Sequence, residues 1–87
     1  MPDARAVILA ELRRIARRVP PGLGAPRGRF LARELDAALR RAHPCAPGSA
    51  CRTLRAMRAE GLGVECIDSA AGVYRLTADE IDRLIGG

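Results

Sequence analysis

Residues 49–62 read SACRTLRAMRAEGL, and this segment has the period and the ends of an amphipathic helix. Ser49 is a residue type that often caps helix N-termini, and Gly61 is the type that most often ends a helix. Between them two opposite faces recur at helical spacing: Ala50, Leu54 and Met57 against Arg52, Arg55 and Ala59. The segment therefore predicts a helix over residues 49–60 whose exposed side is basic.

Two further amphipathic helices are predicted on the N-terminal side of this segment. The first begins after Asp3, a residue type that caps helices, and ends at the proline-rich loop 20–26. The second runs from about Leu31 to Ala42, and Pro44 stops it. The predicted inward residues are Ile8, Leu12, Ile15 and Val19 in the first helix and Leu31, Leu35, Ala38, Leu39 and Ala42 in the second. The predicted outward residues are Arg13, Arg14 and Arg17 in the first helix and Arg33, Asp36 and Arg40 in the second.

After Gly61 the apolar period changes from helical to alternating. Residues 64–66 and 74–76 each place one charged residue between two less polar ones, and the glycine-containing segment 69–72 between them indicates a turn. This pattern predicts a β-hairpin. Residues 77–80, Thr-Ala-Asp-Glu, form a capping-box sequence, which predicts a short last helix that buries Ile81, Leu84 and Ile85. The predicted order is helix, short strand, helix, helix, hairpin, helix, a mainly α fold with a small β-hairpin.

The chain is short and basic. Its 87 residues, of which 48% are hydrophobic, form one predicted domain over 1–87, because two independent cores would need a longer chain. Fifteen arginines against ten acidic residues give a formal net charge of +5, and lysine, asparagine and glutamine are absent. A balance this basic indicates an anionic partner, nucleic acid first, although it is also compatible with simple solubility. The longest aliphatic run, residues 7–10, is far too short to span a bilayer, and no export signal is recognisable, so we expect a cytoplasmic protein.

Three segments in this order resemble the winged helix-turn-helix class of DNA-binding domains. Residues 49–62 are similar to a winged-helix recognition helix that ends in Glu-Gly-Leu, and residues 30–35, FLAREL, to the short strand that leads into the second helix. Residues 72–77, GVYRLT, are similar to the returning strand of the wing. The resemblance covers about residues 28–77 and fits the helices on either side. It implies a winged-helix fold that binds double-stranded DNA.

The resemblance also implies which side chains contact DNA. The third helix would lie in the major groove and present its outward residues to the base edges. These residues are Ser49, Arg52, Thr53, Arg55 and Arg58. Arg29 and Arg33, near the start of the second helix, would contact the phosphate backbone. The alternative is that the arginines, above all those of the first and second helices, form the ordinary solvated faces of amphipathic helices.

Two functions are left open by these patterns. The basic third helix favours a small DNA-binding regulator of transcription, bacterial or from a phage, that reads guanine through Arg52 and Arg55 because the chain lacks Asn, Gln and Lys. The segment 68–72 at the wing tip holds no basic residue, and the connection 42–48 is looser than the turn of a simple helix-turn-helix. These features favour the alternative, a winged helix that binds an acidic protein surface, such as a phage-encoded inhibitor or an adaptor subunit of a larger complex.

A homodimer is predicted through the two terminal helices. Leu9, Ile81, Leu84 and Ile85 exceed what one short helix needs to dock on a core. Paired recognition helices are also what palindromic half-sites require. The terminal helices would then form the dimer interface.

Neither a metal site nor catalysis is expected from the cysteines and the histidine. Cys45, Cys51 and Cys66 are an odd number of thiols, which indicates reduced cysteines, and Cys66 would suit a core position in its strand. Together with His43 they lack the spacing of a closed zinc site. The chain has no phosphate-binding glycine loop after a strand and no recognisable pair of nucleophile and base. We therefore expect no cofactor, no metal and no enzymatic activity.

Overall fold

The computed structural model describes residues 3–18, 28–42 and 49–86. Within these ranges the chain forms α1 Ala4–Arg17, β1 Arg29–Leu31, α2 Ala32–Ala42, α3 Ser49–Ala59, β2 Val64–Asp68, β3 Val73–Leu76 and α4 Ala78–Gly86. The predicted mainly helical composition with a small antiparallel sheet is confirmed. Val19, the predicted loop 20–26 and the connecting residues 43–48 lie outside the described residues.

The helix α1 begins where its cap residue predicts. The Asp3 carboxylate accepts a hydrogen bond from the Ala6 N–H at 2.8 Å, and the backbone of Asp3 itself is extended. This is the geometry of a side-chain N-cap, which satisfies one of the donors that the first turn of a helix leaves unpaired. The N-cap prediction is therefore confirmed.

The junction of β1 and α2 differs slightly from the prediction. Leu31 belongs to the strand, and α2 begins at Ala32. The Leu31 N–H donates to Oε2 of Glu34 at 2.7 Å, and the Ala32 N–H donates to the Gly72 carbonyl at 2.8 Å. Because the Glu34 side chain and the turn that contains Gly72 take up these donors, strand and helix follow each other without a loop.

The three strands form one antiparallel sheet in the order β1-β3-β2. In the register of β1 with β3, Phe30 lies opposite Tyr74, and in that of β2 with β3, Cys66 lies opposite the same tyrosine. The turn between β2 and β3 contains Gly72 with a φ of 68°, a conformation that favours glycine and agrees with the predicted turn. β3 is thus the central strand, and the hairpin is held to α2 through β1.

One hydrophobic core joins all four helices to the sheet. Its largest fully buried side chains are Ile8, Leu12, Ile15, Phe30, Leu35, Leu39, Leu54 and Leu76. The predicted inward faces of α1 and α3 are confirmed within the described residues, and so is the burial of Leu35, Ala38 and Leu39 in α2. Leu31 and Ala42, predicted to point inward as well, are only half-buried. Helix α1 packs against each of the other three described helices. α4 contributes Ile81 and Leu84, but Ile85 is 38% exposed, so its predicted burial is wrong. Ile85 lies on the same side of α4 as Ile81, four residues earlier, but it belongs to the last turn of the helix, beyond the buried part of that side.

The capping box of α4 forms in only one of its two directions. The Glu80 N–H donates to the Thr77 hydroxyl at 3.2 Å, as predicted. The Glu80 carboxylate does not return to Thr77, however, and instead accepts the Gly63 N–H at 2.7 Å and Arg83 at 2.6 Å. A Cβ at position 63 would lie 2.5 Å from the Thr77 hydroxyl oxygen, so only glycine allows this close approach. Glu80 therefore ties α4 to the segment between α3 and β2.

A second carboxylate, Glu34, ties the end of α1 to β1 and α2. Arg18 donates to Oε1 of Glu34 at 2.7 Å and to the Arg29 carbonyl at 2.8 Å. Burial raises the pKa of Glu34, but the hydrogen bonds from Arg18 and the Leu31 N–H, with the positive charge of Arg18, outweigh burial and leave that pKa below its ordinary value. The charged form of Glu34 therefore stabilises the fold.

Acidification is expected to remove this stabilisation. Because the pKa of Glu34 is lower in the folded chain than in the unfolded chain, its contribution is complete above the ordinary glutamate pKa of about 4.3 and is lost as the pH falls through the folded pKa. Glu34→Gln should cost about 1–2 kcal/mol of unfolding free energy at neutral pH, and this gap should narrow on acidification. Urea unfolding of the wild type and of Glu34→Gln at several pH values in the acid range measures this difference in unfolding free energy. Glu65→Gln is the control, since Glu65 pairs with Arg75 at the surface and should matter little. A gap for Glu34→Gln that does not change with pH would contradict the assignment.

Candidate nucleic-acid interface

The outer face of α3 is basic and exposed. Ala50, Leu54 and Met57 are buried, which confirms the predicted inward face, whereas Arg52 and Arg55 are exposed. Arg52 approaches the Ser49 hydroxyl at 3.4 Å. Arg55 has no ion pair or hydrogen bond with any described residue. Two guanidinium groups are thus available on the side of α3 that faces away from the core.

Both ends of α3 are held by specific hydrogen bonds. At its start the Ala50 N–H donates to the Asp36 carboxylate of α2 at 3.3 Å. At its end the Leu62 N–H donates to the Met57 carbonyl at 3.0 Å, and the Gly61 N–H donates to the Arg58 carbonyl at 3.1 Å, with Gly61 at a φ of 109°. This pair of bonds is a Schellman motif, which explains why the helix ends within one residue of the predicted position. The orientation of Arg52 and Arg55 is therefore set by a helix anchored at both ends.

Arg58 has a structural role that the sequence did not indicate. Its Nε donates to the Val64 carbonyl of β2 at 3.1 Å, and its guanidinium lies 6.0 Å from the centre of the Tyr74 ring, a cation–π distance. Tyr74 in turn stacks on Phe30, with 5.8 Å between ring centres. Arg58 therefore joins α3 to the hairpin. Its predicted contact with DNA remains a prediction, and one nitrogen of its guanidinium is already bonded within the protein.

The N-terminal end of α1 flanks α3. Arg5 forms an ion pair and a hydrogen bond with Glu60, and the hydrogen bond from Arg5 is the main reason that the pKa of Glu60 lies below its ordinary value. Glu60 is the single acidic residue of segment 49–62, so this pair offsets the negative charge nearest the basic face. A shallow depression separates the two helices and is lined by Asp3, Ala4, Arg5, Arg52, Thr53 and Ala56. Thr53 is half-buried there, beside α1 and not at the centre of the exposed face.

Arg29 and Arg33 are exposed, as their predicted role requires, and Arg40 is exposed as well. Residues 33, 36 and 40 share one side of α2, because their spacing matches the helical repeat. Asp36 on that side bonds the first turn of α3, and Arg33 and Arg40 lie about one helical turn before and after it along α2. The sequence interpretation did not include Arg40 among the contacts. Its spacing of seven residues from Arg33 was the signal that could have found it.

The tip of the hairpin is acidic. The Asp68 carboxylate accepts the N–H groups of Ala70 and Ala71 at 3.1 and 3.2 Å, so it shapes the turn itself. Arg75 on β3 is paired with Glu65 at 2.6 Å. No basic residue lies between positions 68 and 72. The hairpin therefore presents no guanidinium at its tip for a phosphate or a base.

The cysteines provide no described metal centre. Within residues 3–18, 28–42 and 49–86, no group of three or more His, Cys, Asp or Glu side chains is arranged to hold a metal ion. Cys51 and Cys66 are free thiols, and His43 and Cys45 lie outside the described residues. Cys66 is exposed, so the predicted core position is wrong. The cause is the position of β2 at the edge of the sheet, where only Val64 of this strand reaches the core.

The terminal apolar residues are mostly used within one chain. Ile81 is 7% exposed and Leu84 is 8% exposed, and Leu9 packs half-buried against the core. Of the four residues predicted for the dimer interface, only Ile85 is exposed. The homodimer remains a prediction, now without the surplus of apolar surface that suggested it.

Comparison with known proteins identifies no relative. No protein-family model matches the chain, and no curated protein or solved structure matches it either. None of the described helices is long and apolar enough to cross a membrane. Function must therefore be inferred from the residues of the chain itself.

Proposed function

We propose that the protein is a winged-helix DNA-binding protein that reads the major groove with α3. The observation that carries this proposal is the exposed pair Arg52 and Arg55 on a helix anchored at both ends. An α-helix fits the major groove of B-DNA, and a helix in a fixed orientation can present the same side chains to the same base pairs. The element order, with a hairpin after the third helix, is compatible with a winged-helix layout.

The phosphate backbone would be contacted by arginines of β1 and α2. Arg33 and Arg40 are exposed about one turn before and after Asp36, the α2 residue that bonds the start of α3, and Arg29 of β1 lies just ahead of α2. Contacts of this kind position a protein on the duplex without reading its sequence. They would set the register in which Arg52 and Arg55 meet the bases.

Guanine is the base that this interface would recognise. The planar guanidinium of arginine matches the O6 and N7 acceptors of guanine in the major groove. The bidentate amides that usually read adenine are absent, because the chain contains neither Asn nor Gln. A specific site should therefore carry guanines opposite Arg52 and Arg55. We infer that the protein acts as a transcription regulator by occupying such a site, in the cytoplasm of a bacterium or of a phage-infected cell, and as a homodimer on paired half-sites.

Binding to duplex DNA should depend steeply on salt. With about four phosphate contacts, affinity should fall on the order of 100-fold between about 50 and 200 mM salt, because each contact releases condensed counterions. A mobility-shift titration at these two salt concentrations, with guanine-containing and A/T-only duplexes, measures both the slope and the preference. An absence of any shift at low salt, with the protein monodisperse, would refute the proposal.

That negative result would favour the second candidate, a winged helix that binds an acidic protein surface. The observation behind this alternative is the hairpin, whose tip carries Asp68 and no guanidinium. In that case the arginines of α3 would meet carboxylates in place of phosphates. This candidate would be supported by cross-linking of the protein to a partner protein that it inhibits or assembles with. The cross-link should be abolished by Arg52→Ala with Arg55→Ala.

A further inference from the structure

A second basic surface lies on α1, apart from the candidate interface on α3. This surface, the α1 arginine face, consists of Arg13, Arg14 and Arg17 of α1, Arg18 just after the helix, and Arg41 of α2. Four of its arginines border a shallow depression, and Ala10, with its small side chain, completes the lining. The sequence alone suggested a solvated helix face at this place. The contacts beneath it suggest more.

The carboxylates near the α1 arginine face are already bonded within the protein. Glu11 is buried at 8% exposure, and it accepts Arg14 Nε at 2.9 Å and lies 4.0 Å from Arg41. Glu34 is held by Arg18. Glu11 therefore lies below the guanidinium groups and draws two of them together, while Arg14 and Arg41 keep 56% and 69% of their side chains exposed.

Two arginines of this face have no partner within the described part of the chain. Arg13 and Arg17 are exposed and form no hydrogen bond or ion pair with residues 3–18, 28–42 or 49–86. They lie one turn apart on the same side of α1, beside Arg14, which Glu11 orients. The surface thus offers oriented and unengaged guanidinium groups around an alanine, an arrangement that fits the oxygen atoms of a phosphate backbone.

Most of the α1 arginine face is separated from α3 along the length of α1, although Arg13 borders a depression with Glu60, Gly61 and Leu62 just after α3. The N-terminal turn of α1 contacts α3 through the pair Arg5–Glu60. Arg17 lies twelve residues beyond Arg5, which is about 18 Å along a helix. Because α1 and α3 both turn their apolar sides to the same core, their outward sides point in different directions. A duplex seated on the outward side of α3 would leave the α1 arginine face open.

We propose that the α1 arginine face binds the phosphate backbone of a second DNA duplex, so that one chain bridges two duplexes. The bridge rests on the proposed function, because α3 must bind the first duplex. The affinity of the α1 arginine face for phosphate is independent of that function. The contact would be independent of sequence, since it involves no element that enters a groove. Its strength would come from the release of counterions by the arginines.

Capture of a second duplex tests this proposal. A biotinylated guanine-containing duplex is fixed on beads at about 50 mM salt, protein is added, and retention of a fluorescent second duplex is measured. Wild-type protein should retain the second duplex. Arg13→Gln with Arg17→Gln should lower retention at least about tenfold, because two phosphate contacts are lost, while the first duplex stays bound. The matched control is Arg75→Gln with Arg83→Gln, which removes the same charge from the hairpin and α4.

The outcomes separate this proposal from the proposed function. Binding of one duplex without capture of a second by wild-type protein overturns the bridge and leaves α3 as the reader. Capture that persists in the Arg13→Gln, Arg17→Gln variant, as a dimer with two α3 helices would give, also overturns it. Equal losses of second-duplex retention in that variant and in the charge control also overturn the bridge.

The proposed function fails separately, if Arg52→Ala with Arg55→Ala keeps full affinity for the first duplex. If that variant instead keeps a residual affinity that Arg13→Gln with Arg17→Gln removes, the residual affinity supports the α1 arginine face. Binding of polyglutamate but no DNA at this face would assign it to an acidic protein and refute the proposal.

Discussion

Replacing Arg52 and Arg55 together by alanine is expected to abolish the preference for guanine-bearing sites. Each good bidentate contact to guanine is worth about 1–3 kcal/mol, so the double variant should lose about 2–6 kcal/mol, which is at least about thirtyfold in Kd. The fold should be unaffected, because Arg55 has no bonding partner among the described residues and Arg52 contacts only the Ser49 hydroxyl of its own helix. Fluorescence anisotropy with a selected site and a guanine-free site measures the two affinities.

Arg33→Ala provides the control for this double variant. A residue that contacts phosphate should lower affinity for all sequences alike and reduce the slope of log affinity against log salt by about one. The guanine preference should survive in this variant. Equal loss on both duplexes from Arg52→Ala with Arg55→Ala, or no loss at all, would show that α3 does not read the bases.

Replacing Phe30 by alanine is expected to have the largest effect on stability. Phe30 is 1% exposed in β1, between α2 and the hairpin, and its ring stacks on Tyr74. Truncation of a buried Phe to Ala costs about 3–5 kcal/mol through lost burial and the cavity that remains. Small domains have about 5–15 kcal/mol in total, so a large share of the stability should disappear.

Urea unfolding followed by circular dichroism measures this loss. Ile85→Ala is the matched control, since Ile85 is 38% exposed and its truncation should cost well under the Phe30 value. Phe30→Leu, which keeps a large apolar side chain, should fall between them. An effect of Phe30→Ala no larger than that of Ile85→Ala would mean that β1 is not packed on the core as described. Tyr74 contacts both Phe30 and Arg58 of α3. Phe30→Ala should therefore weaken DNA binding as well.

The candidate interface could be predicted only in part from the sequence. The exposure of Arg52 and Arg55 followed from helical period, because their positions are opposite to three apolar residues of the same helix. Arg58 was assigned to the same surface on the same ground, yet its bond to Val64 and its stacking on Tyr74 depend on where the hairpin lies. Arg40 shares a side of α2 with Arg33 by helical spacing, but the bond from Asp36 on that side to the start of α3 depends on tertiary packing.

The sequence by itself determined the structural features whose causes lie within a few residues of one another. The start of α1 at the Asp3 cap, the Schellman end of α3 at Gly61 and the turn at Gly72 depend on residues within a few positions of one another. Tertiary structure alone decided which of two similar residues is buried and which partner a side chain takes. Ile81 packs inward and Ile85 does not, and the Glu80 carboxylate accepts the N–H of Gly63 and not that of Thr77, because the neighbouring elements reach one position and not the other. The physical reason is that hydrophobic burial and hydrogen bonding act between whichever groups come into contact. Helical periodicity predicts which face of a helix is apolar, but it does not predict which other element packs against that face.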